Sequence, residues 1–458
     1  MSDDREQRAK EFLRQLFGDD GADEMYEHLV HQGIDPLAQF GDGPLPSPMQ
    51  MKAALDKARA MFAVDDGPVN KRLAHDLARQ TAVAEGDPAL SGLQAKEVID
   101  AFSVAELWLD AATSLNPAGG SVHPWCRSHW VIATLPALEQ LMAPVATSMA
   151  EALVQVLGGE DEMEARAPEG FNLAAIGLGD LNPTELLRRL GAAAAGMQVG
   201  QAAGTLSREV FGATDLGLPL TPMPVTALLP TNINKFAEGL ETPLAEVRQY
   251  LAVREAAHAR LFAGVPWLRS YLLGLVEKYA RGIEVDLDTL ESRVRGADGT
   301  DPAALQKAMA TGGIFGVTPT VEQQETLLQL ETALALVEGW VDEVTAQAAL
   351  PHIPACVPLR ELLLRRRAAG GPAEKTFANL VGLELRPRRS RDAAKLFAHT
   401  YVAGGVEGRD AVWTHPDLLP GPIDLDDPAG YLARREAQKI SDLEFDAALE
   451  QFLAGDES

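Results

Sequence analysis

The sequence predicts a mainly α protein with few short strands, and three observations carry that expectation. Ala and Leu recur in long stretches, while runs in which Val, Ile or Thr alternate with polar residues are scarce; the first pattern favours helix and the second would have signalled strand. Hydrophobic residues make up 46% of the 458 and charged residues 23%, so the chain carries enough apolar surface to bury a large core. Aromatic residues are only 6%, which leaves that core to be filled by small and aliphatic side chains.

The elements follow in order. Residues 1–48 read as an acidic, helical N-terminal extension: a short helical pattern through Phe12, Leu13, Leu16 and Phe17 ends in the turn signals Gly41-Asp42-Gly43-Pro44. Helices are expected over 51–62, 68–82, 95–112 and 130–157, separated by Gly- and Pro-rich loops. An acidic break near 158–170 divides the main domain, 49–440, into two lobes, followed by a short strand or turn at 172–178 and a helix pair over 183–211. Pro219, Pro222, Pro224 and Pro230 rule out a helix across 215–230 and predict an extended loop. Pro243 and Pro266 then stand at the first turn of two helices, 243–263 and 266–282, which are expected side by side around a cleft with the proline-rich loop along one edge. A further helix spans 321–350, two segments at 386–392 and 413–428 bracket a C-terminal lobe, and 441–458 is an acidic tail.

A formal net charge of −26 argues against nucleic acid, whose binding draws on clustered Lys and Arg. The small-residue stretch 191–204 is interrupted by Gln198 and Gln201 and falls short of the ~20 apolar residues of a membrane span, so no membrane partner is expected. Two cysteines, Cys126 and Cys356, are too few for a disulfide framework. The charged first ten residues lack the apolar centre of a secretory signal, and a cytoplasmic location is the expectation.

The segment richest in chemistry is Arg254-Glu255-Ala256-Ala257-His258. Glu and His three apart on a helix match the second half of H-E-x-x-H, in which two histidines one turn apart bind zinc and the Glu acts on water. Val247, Leu251, Arg254, His258 and Phe262 share one helical stripe, so Arg254 stands where the first ligand belongs. Glu277 follows His258 by nineteen residues on the next helix, a spacing like that of third carboxylate ligands in zincins.

These residues, together with the blocks Met197–Gln201, Gly204–Glu209, Asp215–Leu220, Gly408–Trp413 and His415-Pro416-Asp417, resemble the zincin-like metallopeptidases of actinobacteria, and the resemblance spans about half of the chain. It implies a zincin-like helical metallopeptidase fold for 49–440 and a zinc-dependent hydrolase of peptide bonds. It further implies Glu255 as catalytic base and His258 and Glu277 as metal ligands, with zinc as the cofactor and a peptide or protein as substrate or partner.

Arg254 departs from that pattern, since a guanidinium stays protonated and cannot coordinate metal. Two readings follow. Either another residue completes a zinc site, or Arg254 pairs directly with Glu277, with Glu255 as second choice, and a salt bridge stands where the metal would. In the second case the protein is a non-catalytic pseudo-peptidase that binds a peptide or protein. His123 and His129 around Cys126 lack partners at metal-ligand spacing, His28 and His31 read as solvated, and His415 in its turn either reaches the site as a replacement ligand or caps local structure. The basic run Arg386–Arg391 and the neighbours Arg208-Glu209 and Arg409-Asp410 are expected to form internal pairs.

Overall fold

The computed structural model describes residues 67–157, 183–283, 320–369, 372–381 and 389–455. The N-terminal extension, the helix at 51–62, the break near 158–170 and the segment 172–178 lie outside the described residues, as do His28, His31 and Arg386 to Arg388.

Helices dominate, and local chemistry marks their ends. Helix α1 (Lys71–Val83) starts at Asn70, whose Oδ1 accepts from Leu73 N at 3.0 Å. Helix α2 (Gly92–Leu109) opens on a Ser91/Gln94 capping box, in which side chain and backbone satisfy each other's first-turn donors. A 31-residue helix α3 (Arg127–Leu157) follows, with Pro136 and Pro144 inside it.

The segment expected as a helix pair is one helix, α4 (Pro183–Leu206), that ends at residue 206. Its Gly196, Gly200 and Gly204 sit against Asn70, Ala74 and Ala78 to Thr81 of α1, so close that a Cβ at any of them would collide with α1 backbone. The stretch looks like a helix interrupted by glycines because the glycines serve helix contact rather than a turn.

Among the described residues the strands are few and short, as expected. They are β1 (Val122–Pro124) and β2 (Thr226–Leu228), paired in parallel with His123 opposite Ala227. Past α5 (Pro230–Ala237) come α6 (Leu244–Gly264) and α7 (Pro266–Arg281), the latter with Pro at its first turn. Helix α8 (Val321–Ala349) opens on a Thr320/Gln323 capping box. The C-terminal part consists of α9 (Cys356–Ala368), α10 (Pro372–Val381), α11 (Ser390–Asp410, kinked where Gly405 takes φ 65°), α12 (Pro422–Asp426) and α13 (Tyr431–Gly455). The tail segment 441–455 is thus a continuation of helix.

One apolar core joins these elements. Helix α6 runs through its middle and buries residues 250–262 without interruption. It packs chiefly on α2 and α8 and only lightly on α7, so the cleft expected between α6 and α7 is replaced by a contact of α6 with α8. A helix buried on all sides has no solvent-facing stripe. Leu251, Leu261 and Phe262 each contribute roughly 1.5–3 kcal/mol by burial, while Arg254, Glu255, His258 and Arg260 must each find partners inside the protein. Among the described residues no helix is long and apolar enough to cross a membrane.

Candidate functional site

The α6 motif faces α8. The guanidinium of Arg254 binds Glu338 Oε2 through Nη2, and His258 Nε2 lies 3.2 Å from Glu338 Oε1. A second guanidinium, Arg367 from the last turn of α9, binds the same Glu338 Oε1 and also holds the backbone carbonyl of Asp215. Arg254, His258 and Glu338 are 7%, 1% and 3% exposed. Burial alone would raise the Glu338 carboxyl, but the two guanidiniums and the histidine hold it far below the usual carboxylate range.

Burial pushes His258 below its ordinary value, although Glu338 opposes that shift. A neutral ring has one N–H for two acceptors, Glu338 and the Arg254 carbonyl; with the proton on Nε2 it donates to the carboxylate, the stronger acceptor of the two. Its Nδ1 lies 3.1 Å from the Arg254 carbonyl one turn back.

Glu255 points the other way, to the loop after α4. Its Oε1 accepts from Ala213 N at 2.8 Å and Thr214 N at 3.2 Å, and its Oε2 accepts from Thr214 Oγ1 at 2.7 Å. Burial raises its carboxyl to about 7, the nearby Asp215 charge adds to the rise, and the three donors do not reverse it. The loop lies on the carboxylate because residue 212 is glycine: a Cβ there would run into Glu255. Gly212 is itself tied down, its carbonyl accepting from Trp130 Nε1 at 3.1 Å and its backbone bridging Leu228. The space left among Phe211, Gly212, Asp215, Arg254, Glu255 and His258 is about 10 Å³, at most room for one water.

Arg254, Glu255 and His258 therefore meet in one place, and Asp215 and Leu228 at either end of the proline-rich segment border it, on the expected side. Glu277 does not join them. It pairs with Arg281 on its own helix and borders a different hollow with Lys278 and Thr320. The reason is helical phase: α7 buries Leu268, Leu272 and Val276, and at roughly 100° per residue Glu277 falls half a turn from Leu268. The expected pairing of Arg254 with Glu277 is accordingly corrected to Glu338, 80 residues beyond His258. Sequence held a signal for it: Glu338 is the single charge in the apolar run 333–341, and a lone buried carboxylate demands a cation.

The other candidates are local. His129 Nδ1 meets Cys126 Sγ at 3.3 Å, His123 Nε2 meets Ser121 Oγ at 2.9 Å, and His415 is exposed beside Asp417. Arg389 and Arg391 pair with Asp426 and Glu361, Arg409 with Asp410, and Arg208 with Glu85 rather than with its neighbour Glu209.

A metal fits these atoms poorly. Both Glu338 oxygens already accept from guanidiniums and the His258 Nε2 lone pair is replaced by a donated proton, whereas zinc needs three free ligand atoms and an open position. Among the described residues no group of three His, Cys, Asp or Glu has the geometry to hold a metal ion.

Three comparisons bear on this arrangement. The family model described as zincin-like metallopeptidase matches residues 69–432. A search of solved structures finds the crystal structure of a "putative hydrolase with a novel fold" from Chloroflexus aurantiacus, similar with a TM-score of 0.54 and 16% identity over 80% of this chain and 99% of that one. No curated protein matches.

Proposed function

This chain belongs to the zincin-like metallopeptidase family, and from that premise we propose that it is a non-hydrolytic member. It keeps the helical scaffold, does without zinc, and binds a peptide or protein partner. The observation that supports this reading is the engagement of Glu338 by two guanidiniums and the His258 imidazole.

Zinc-dependent hydrolysis of a peptide bond requires a cation that polarises the carbonyl and a carboxylate that takes a proton from water. At this centre the cationic charge is covalently fixed on Arg254 and Arg367. A protonated guanidinium presents no vacant position to water or to a carbonyl. Glu255, the counterpart of the catalytic base, is engaged by Ala213 and Thr214. The two positive charges are balanced by Glu338 and by Asp215, 3.4 Å from Arg367. Below about pH 7, where Glu255 is protonated, the cluster is neutral with no metal.

Elemental analysis of protein purified without chelators tests the reading. Zinc is expected well below one per chain and unchanged by His258→Ala; stoichiometric zinc lost with that substitution overturns it. Arg254→His with Arg367→Gln restores a second imidazole and frees a Glu338 oxygen, and is expected to bring zinc towards one per chain. Arg254→His alone is expected to bind less, because Arg367 still holds the carboxylate.

A further inference from the structure

Away from the buried centre, α7, the N-terminal half of α8 and the loop 416–422 enclose an open groove of about 470 Å³, within the roughly 300–1,000 Å³ usual for ligand sites. Leu328 and Leu419 supply apolar floor, Tyr271 and Gln329 supply hydrogen-bonding groups, and Glu325 and Asp417 supply negative charge.

Two features separate this groove from an ordinary surface dent. Its outer wall is braced: Trp267 Nε1 donates to Trp413 O at 3.2 Å, Trp413 stacks on Phe397, Gly421 N donates to Asp424 at 2.9 Å, and Arg389 holds Pro422 O at 3.0 Å. A wall fixed in advance lowers the entropy cost of binding. Its lining also contains two carboxylates and no Lys or Arg, whereas the carboxylates that follow its last lining residue, Pro422, are matched by arginines, Asp424 by Arg434 and Asp426 by Arg389. Among the described residues Asp417 has only the exposed His415 beside it, at 3.4 Å. Leu328 is 46% exposed on the floor.

We propose that this groove docks an extended peptide segment whose side chains alternate between apolar and basic. In an extended chain successive side chains point to opposite sides, so apolar groups reach the leucine floor while lysines or arginines reach the acidic rim. The proposal rests on the peptide-binding reading above and gives it a location and a partner chemistry.

Fluorescence anisotropy of the full chain with a labelled hexapeptide of alternating leucine and lysine tests it, with the leucine–glutamate peptide as comparison. The lysine peptide is expected to bind at least about tenfold tighter, and Glu325→Gln with Asp417→Asn to remove about tenfold of that affinity, the change that roughly 1.4 kcal/mol produces. Leu328→Asp weakens it similarly. The remote pair Asp76→Asn with Glu444→Gln leaves it within about twofold, which separates the groove from the general attraction of an acidic protein.

Equal binding of the two peptides, or equal losses from rim and remote variants, overturns the groove. Mass spectrometry of the same mixtures reads cleavage separately. An intact bound peptide supports both readings; a cleaved one overturns the non-hydrolytic reading and leaves the groove to be judged by its rim variants. An intact unbound peptide overturns the groove alone.

Discussion

Two of the protein's buried carboxylates are of opposite character. Asp410 sits at the end of α11 and accepts from Arg409 Nε, Thr113 Oγ1, Ser114 N and Trp340 Nε1 at 2.7–2.8 Å. Its one cation comes from the adjacent residue and the remaining donors are neutral. Glu338, in the middle of α8, has as partners two guanidiniums from other helices and an imidazole. The first node needs only one charge pair and a set of dipoles to close a corner of the fold. The second concentrates positive charge around one carboxylate, as a metal centre does, but with that charge attached to side chains.

The largest effect comes from Glu338→Leu, which strands the buried Arg254 without its carboxylate and leaves Arg367 to Asp215. Destabilisation of ~3–5 kcal/mol is expected in urea denaturation. A loss below about 1 kcal/mol would mean that the guanidiniums find water easily and the centre is not a staple.

Glu255 gives the next effect, and its sign is opposite to that of a paired carboxylate. Its folded-state carboxyl is raised to about 7 from 4.5, so the folded protein binds the extra proton between those values, and stability falls as pH rises through that window. The loss reaches roughly 3 kcal/mol above pH 7. Glu338, held low, contributes stability at every pH above its unfolded value and loses it only in acid. Glu255→Gln should therefore flatten the stability profile between pH 5 and 8, and an unchanged slope would assign that dependence elsewhere.

Asp410→Asn comes third at about 2 kcal/mol, because the amide keeps one acceptor but turns a donor towards donors. Glu277→Ala is expected to cost no more than ~0.5 kcal/mol, the worth of an exposed pair with Arg281 on one helix. A cost as large as that of Glu338 would return Glu277 to the centre.

Sequence carried the helical architecture well because it is written in local terms: caps at Ser91 and Thr320, first-turn Pro266, and apolar spacing. It also brought Arg254, Glu255 and His258 together, since one helix turn fixes them. It misjudged what one helix cannot fix. Arg367 and Glu338 reach the site from α9 and α8, and nothing about nineteen-residue spacing distinguishes Glu277 from a solvated face. The small-residue stretch of α4 reads as a tightly packed helix, but its packing partner α1 stays hidden, because a sequence does not say which neighbour needs the room.

Gly212 also sets how slowly its loop opens to solvent. The amides of Ala213 and Thr214 are held by Glu255, while Gly212 between them and α3 is anchored to Trp130 and Leu228. Solvent reaches those two protons only when the loop, the indole contact and the β2 bridge release together. A segment joined to the core at three points opens as rarely as the core itself. A loop by backbone geometry, residues 212–214 should exchange their hydrogens on the same slow schedule as the middle of α6.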